Sequence, residues 1–263
     1  MTKHLHLWSA APIATLAVLT GSPASTQPTG DDRDEGEEIP FSEARLFLEL
    51  NHTDGDLGLH ALIDGRGWKK LEIDDPNDVL MLDVFVRSRL RKQGLTEFFF
   101  ESAEPPFDEL PPKQFFRRFP EGVYDIGGVT LDGKELESEV TLSHVLAAPP
   151  ANIQISGVDA AENCDADPLP SVSEPVTISW DPVTQSHPEI GTPGVDVEVE
   201  RYELILEREE PTALAFSVQL PPEVTSFEIP SDFIGLSDAF KFEIIVRADN
   251  GNQTAVESCF EIE

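Results

Sequence analysis

Basic residues are scarce in this chain. Eighteen Lys and Arg stand against 50 Asp and Glu, a net charge of −32. A surface so negative repels phosphate backbones and anionic lipid, which excludes nucleic acid and acidic membranes as partners. Cysteine is nearly absent, with only Cys164 and Cys259. No cysteine follows the apolar stretch near the start, so no lipoprotein anchor is expected, and none is left over for a thiolate zinc site. Beyond the apolar stretch near the start, the histidines His52, His60, His144 and His187 do not recur at the i+2 or i+4 spacing of a metal pair, and HExxH, GxSxG and SxxK are all missing. Carboxylates are so abundant that no glycosidase-type pair can be singled out. The chain is therefore read as non-enzymatic, with no catalytic residue assigned. Long helical periodicity is also lacking, and no apolar run reaches the roughly 20 residues of a membrane-spanning helix.

What is present is a grammar of short alternating strands separated by Gly, Asp and Pro turns, with 17 Gly and 22 Pro. It predicts an all-β chain. Residues 1–24 read as a secretory signal, with Lys3, the apolar run Ala10–Thr20 and small residues Ser22-Pro23-Ala24 for cleavage. No hydrophobic tail or sorting motif precedes Glu263, so the mature protein is expected to be exported, secreted or periplasmic, without membrane insertion once the signal is cleaved. Residues 25–40 are polar, acidic and free of aromatics until Pro40, the composition of a disordered linker. A first β-sandwich of the Ig-like kind is expected over residues 41–146. Strands are read at Ala44–Leu50, Leu57–Ile63 and Trp68–Ile73, the last two joined by a hairpin at Asp64-Gly65-Arg66-Gly67. A more buried strand over Val79–Val86, another over Leu95–Glu101, one short helix over Pro112–Phe119 and a final hairpin around Asp132-Gly133 complete it. Ala147-Ala148-Pro149-Pro150 is a short stiff linker on which two separate folding units hinge. From Ala151 on, 23 acidic residues face 4 basic ones, which places −19 of the charge there. Two cysteines in an exported chain favour one Cys164–Cys259 disulfide over two buried thiols.

The second half carries a family resemblance. Pro175-Val-Thr-Ile-Ser-Trp180, Glu200-Arg-Tyr202-Glu-Leu-Ile-Leu206, Ser226-Phe-Glu-Ile-Pro230 and the run from Leu236 to Gly251 resemble strands B, C, E and F of a fibronectin type III domain. The resemblance covers about residues 150–263 and implies a second β-sandwich, over 151–263, that serves as a binding or spacer module, without catalysis. Phe242 stands where that family usually has its corner Tyr, and the cysteine pair is unusual for it. The connection Asp181–Val195 is long for a B–C loop.

Two clusters invite a chemical reading. Asn51, Asp54 and Asp56 crowd one loop and form a candidate calcium site, with an acidic β-turn the favoured reading; otherwise no cofactor is expected. Asp64 lies some 25 Å along the strand and is no fourth ligand. Arg87, Arg89, Arg91 and Lys92 concentrate positive charge in an acidic protein. Were they a strand, Arg87, Arg89 and Arg91 would share a face, either docking an anionic partner or protecting an edge. Two glycosylation sequons begin at Asn51 and Asn252, and His60 and His144 read as ordinary strand positions. The expected function is non-catalytic binding, adhesion or scaffolding at the cell envelope or outside it, toward another protein or an envelope component. The alternative is an accessory role in polysaccharide binding or degradation, for which an exposed aromatic platform would be the mark.

Overall fold

The computed structural model describes residues 38–208 and 211–263. The signal and all but the last residues of the 25–40 linker lie outside the described residues. Of that linker, Ile39 is tied into the fold, donating its N–H to Glu135 O at 3.1 Å and accepting from Glu137 N at 3.0 Å. The chain is mostly β, as expected, in sandwich-like sheets.

The first half holds β1 (Glu43–Asn51), β2 (Asp56–Asp74), β3 (Leu80–Phe85), α1 (Ser88–Gln93), β4 (Leu95–Glu101), α2 (Pro112–Arg118), β5 (Gly122–Thr130) and β6 (Glu135–Leu142). The hairpin expected at Asp64–Gly67 does not form, and β2 runs straight through it as one bent strand. Its first part pairs with β1 and β4, its second with β3 and β5, and the ladder to β4 shifts register between Asp64 and Trp68. The glycines serve close approach instead of a turn. A Cβ on Gly65 would lie 2.9 Å from the ring of Phe41, and one on Gly128 would lie 3.0 Å from it. Phe41 thus plugs the bend, and the two sheet segments that share β2 close on a core of Leu48, Leu59, Trp68, Tyr124 and Phe115. Each such burial contributes about 1.5–3 kcal/mol. Strand β3 is less buried than expected: Leu80 and Phe85 are exposed, while Met81, Leu82 and Val84 are partly buried against the core.

The second half adds β7 (Gln154–Ile155), β8 (Val158–Asp159), β9 (Ser171–Val172), β10 (Thr177–Ser179), β11 (Val199–Arg208), β12 (Leu214–Leu220), β13 (Ser226–Glu228), α3 (Ser231–Ile234), β14 (Ala239–Ala248) and β15 (Gln253–Ile262). The strands expected as B, C, E and F fall at β10, β11, β13 and β14. One sheet runs β13-β10-β7-β8, and the facing strands run β12-β11-β14-β15. Trp180 packs edge-on to Tyr202 at 5.3 Å, and the Tyr202 hydroxyl accepts from Val183 N at 2.9 Å. With Phe242 in place of a corner Tyr, aromatic packing holds that region: Phe233 of α3 lies 5.8 Å from both Phe216 and Phe240.

The two cores divide between Leu146 and Ala147, yet the described residues form one compact unit. The reason is the free edge of β15, which takes β1 in parallel at Glu49↔Gln253, Leu50↔Thr254 and Asn51↔Ala255. Pairing also blunts an edge that could otherwise recruit foreign strands. The stretch expected as a hinge is buried in this seam. Thr254 Oγ1 donates to Ala147 O at 2.8 Å, and Ala148 N donates to Gln185 O at 2.9 Å. The long loop Asp181–Val195 packs there too, with Thr192 N donating to His144 O and His187 N to Leu146 O.

The outward face of the shared sheet carries a belt of buried charge. Glu243 lies among Glu257, Lys241, Glu207 and Glu203; burial, then Glu257, push its carboxyl from an ordinary 4.5 up to about 8. A raised folded pKa means that unfolding releases a proton between those values, so stability falls as pH rises through that window. Glu243→Gln is expected to stabilise the protein by about 2–4 kcal/mol at pH 8 and by less than about 1 kcal/mol at pH 5. Urea unfolding at the two pH values checks this, and coincident midpoints at pH 8 would contradict it. Asp56, raised to about 7 chiefly by burial, adds a slope of the same sign.

Candidate functional site

The segment after β3 folds otherwise than the alternating charges suggest. Ser-Arg-Leu-Arg-Lys-Gln has good helix formers and no β-branched residue, and Gly94 with φ 86 ends the turn, its N–H donating to Leu90 O. The result is α1, so the shared face of Arg87, Arg89 and Arg91 expected of a strand is replaced by helical spacing. Arg87 at the N-cap and Arg91 four residues on come to one side. Arg89 and Lys92 belong to the same exposed helix, none of whose residues is buried.

Arg87 and Arg91 line a shallow depression of about 180 Å³ together with Lys69, Lys70, Phe85 and Val86. Phe85 is 53% exposed. Two cations flank its ring, with Lys70 Nζ and the Arg87 guanidinium each 5.7 Å from the centroid. Such contacts hold long cationic side chains in place and are worth about 0.5–1 kcal/mol at exposed sites. Lys70 also bonds Glu72, which raises its pKa, while Asp83 lies opposite Glu72 on the β2–β3 ladder. The site therefore joins an exposed aromatic face to a cluster of cations, a combination suited to an anionic chain with apolar parts. Lys69, Lys70 and Phe85 were not legible as part of it, because β2 and β3 bring them to α1 only through pairing; an aromatic next to a basic run was the one signal available.

The loop from Asn51 to Asp56 is a tight turn. Asn51 Oδ1 accepts from Thr53 N and Asp54 N, each at 3.1 Å, and Asn51 Nδ2 donates to Asp54 Oδ2 at 3.4 Å. Gly55, at φ 71, donates to Asn51 O. The amide oxygen that calcium would need is already committed to two N–H groups, leaving Asp54 and Asp56 as the loop's carboxylates. The loop grips β15 instead: His52 N donates to Ala255 O, and Thr53 Oγ1 accepts from Glu257 N at 2.8 Å. Both sequon asparagines, Asn51 and Asn252, are buried with their amides hydrogen-bonded, so neither is presented for glycosylation in the folded chain.

His52 and His187 meet across the halves, with Nε2 of His187 3.3 Å from Nδ1 of His52. His187 Nδ1 accepts from Glu189 N and Ile190 N, so its proton sits on Nε2 and points at His52. That tautomer closes the facing nitrogens to a metal. Burial lowers the pKa of both rings. The Cys164–Cys259 disulfide is formed, spanning 95 residues.

No known family's sequence pattern matches the chain, and no curated protein does. Among solved structures the chain is similar to the chicken CNTN1 FN1–FN3 domains, at 11% identity over 86% of this chain and 65% of that one, with a TM-score of 0.32. It is similar to a two-domain fibronectin type III segment from chicken tenascin, at 12% identity over 83% and 97%, with a TM-score of 0.27. A bacterial ice-binding adhesin, described for its retention on the host cell surface, matches at 12% identity over 86% and 66%, with a TM-score of 0.23. The chain thus spans about two thirds of the CNTN1 and adhesin chains.

Proposed function

We propose that this protein is an exported, non-catalytic binding and scaffolding protein that holds an anionic protein segment against the surface formed by β2, β3 and α1. The observation that carries this reading is the exposed ring of Phe85 between Lys70 and Arg87, with Arg91 alongside. In a chain of net charge −32, a standing group of cations on one exposed helix and its neighbouring strands is a local exception to a surface that repels anions, and it selects partners of opposite sign. Formation of the disulfide supports an oxidising, extracytoplasmic location. No helix among the described residues is long and apolar enough to cross a membrane. The polysaccharide alternative has less behind it, because Trp68 and Trp180 are both buried and offer no sugar platform.

The test is binding of the full chain to an immobilised polyglutamate peptide interspersed with leucine, followed across salt concentration. Binding that weakens with salt and falls about tenfold or more in Arg87→Glu/Arg91→Glu is the expected result. Equal binding by parent and variant, or a preference for a polyuronate over the peptide, would count against the assignment.

A further inference from the structure

Glu49, His60 and Glu104 are far apart in sequence and come from β1, β2 and the segment that follows β4. Cross-strand register puts Glu49 opposite Gly58 and, on the other side, beside Gln253. Two residues on from Gly58, His60 points to the same face. After β4 the chain continues along β2, with Ser102 N donating to Leu59 O and Pro106 bridging to Asp56, which carries Glu104 over Gly58. His60 Nε2 then lies 2.9 Å from Glu104 Oε1, and a carboxylate oxygen of Glu49 completes a group whose atoms all lie within 4.8 Å of one another.

Two further observations mark this group as a ligand set. First, Glu49 is 4% exposed, and its Oε1 has no hydrogen-bond partner. Its other oxygen is served: with the Gln253 amide nitrogen turned toward it, Gln253 donates to Glu49 Oε2 at 2.9 Å and takes Arg247 on its own oxygen. A buried carboxylate oxygen left unpaired is costly, by the full desolvation of that atom. Burial, then Glu243, Glu104 and Glu101, drive Glu49 toward holding a proton. Second, Gly58 is the floor of the group. A Cβ there would fall 1.8 Å from Glu104 Oε1 and 2.8 Å from His60 Nε2. The absence of a side chain leaves the space in which the three donor atoms converge.

We propose that Glu49, His60 and Glu104 bind a divalent first-row transition cation, with Zn²⁺ as its probe. One imidazole nitrogen and two carboxylate oxygens are a zinc donor set, open at a fourth position. They do not suit calcium, which takes six to eight oxygens. Tetrahedral ligands at about 2.05 Å stand about 3.3 Å apart, so the outer atoms draw in by roughly 1.5 Å. Glu104 supplies that movement, since it is the ligand on irregular backbone and the least buried, at 15% of its side chain against 3% for His60. On binding, the cation supplies Glu49 Oε1 with its missing partner. It clamps the segment after β4 onto β1 and β2, next to the β1–β15 seam.

The experiment is calorimetric titration and thermal melting of the chelator-treated full chain with Zn²⁺, Mn²⁺ and Ca²⁺, alongside Glu49→Gln and Glu104→Gln. One equivalent of Zn²⁺ is expected, with a Tm rise of roughly 5–10 °C at a hundredfold excess over Kd. Both variants are expected to lose at least tenfold in affinity, yet to melt no lower than the parent without metal, because each puts a neutral amide of the same shape into a crowded acidic cluster. Glu104→Gln keeps the test informative should Glu49→Gln fold poorly. The proposal is overturned by no zinc-dependent shift, by a shift undiminished in both variants, which places the ion elsewhere, or by Ca²⁺ reproducing it.

Discussion

Asn252→Leu is expected to lower stability by about 2–5 kcal/mol, a fall in Tm of roughly 5–15 °C. The residue is 1% exposed and sits in the turn between β14 and β15. Its Oδ1 accepts from Leu48 N at 2.8 Å, and its Nδ2 donates to Ser143 O at 2.8 Å and Val145 O at 2.9 Å. Leucine keeps the number and branching of the side-chain heavy atoms, so the shape is conserved and the loss is chiefly polar. The Leu48 N–H and the Ser143 carbonyl lose the amide, and the Val145 carbonyl keeps only Asn250. Each buried group left unpaired costs about 1–3 kcal/mol.

The consequence goes beyond one residue. Asn252 joins β1 and the end of the first core to the second sandwich, so it stands at the junction of the halves. We propose that these halves, 41–146 and 151–263, are two folding units coupled by the seam. Each has its own core, and the parallel β1–β15 ladder is only three residue pairs long. Calorimetry of the parent is then expected to show one transition, and of Asn252→Leu two. A variant that melts within about 1 °C of the parent in a single transition would remove Asn252 from that role.

The sequence showed the strands better than their partners. Alternation located β1, β4, β5 and β6, and the run around Trp180 and Tyr202 located β10 and β11, because side-chain period is a local property. It failed where tertiary packing set the backbone. Asp64-Gly65-Arg66-Gly67 has the composition of a hairpin, but Phe41, more than twenty residues away, needs the space above Gly65. Val79–Val86 looked buried because it is apolar, whereas Val79, Leu80 and Phe85 are exposed, and Phe85 lies in the basic site. The Asn51 loop was read as a turn with Gly55 supplying the conformation, but its grip on β15 depends on residues some 200 positions later. Glu49, His60 and Glu104 carry no spacing motif at all. Only register brings them together, and register between β1, β2 and β4 cannot be read from the pattern of any one of them.

Removing the disulfide by Cys164→Ser/Cys259→Ser is expected to cost about 4–5 kcal/mol, through the unfolded chain more than the folded one. The bond closes 95 residues, most of the second half, so its loss returns that loop's conformational freedom to the denatured state. The native loop has other attachments. Ser258 Oγ donates to Ala161 O, Glu261 N donates to Pro170 O, and β9 pairs with the end of β15. The folded variant is therefore expected to keep its circular dichroism while its urea midpoint falls and its m-value rises, since the unbridged denatured chain exposes more surface. A loss below about 1 kcal/mol with an unchanged m-value would mean that the denatured chain stays compact without the bridge. Combined with Asn252→Leu, the double serine variant separates the halves further. Both cysteines lie beyond Ala147, so only the transition of the second unit is expected to move, while that of the unit built on Trp68 and Phe115 stays where Asn252→Leu alone puts it.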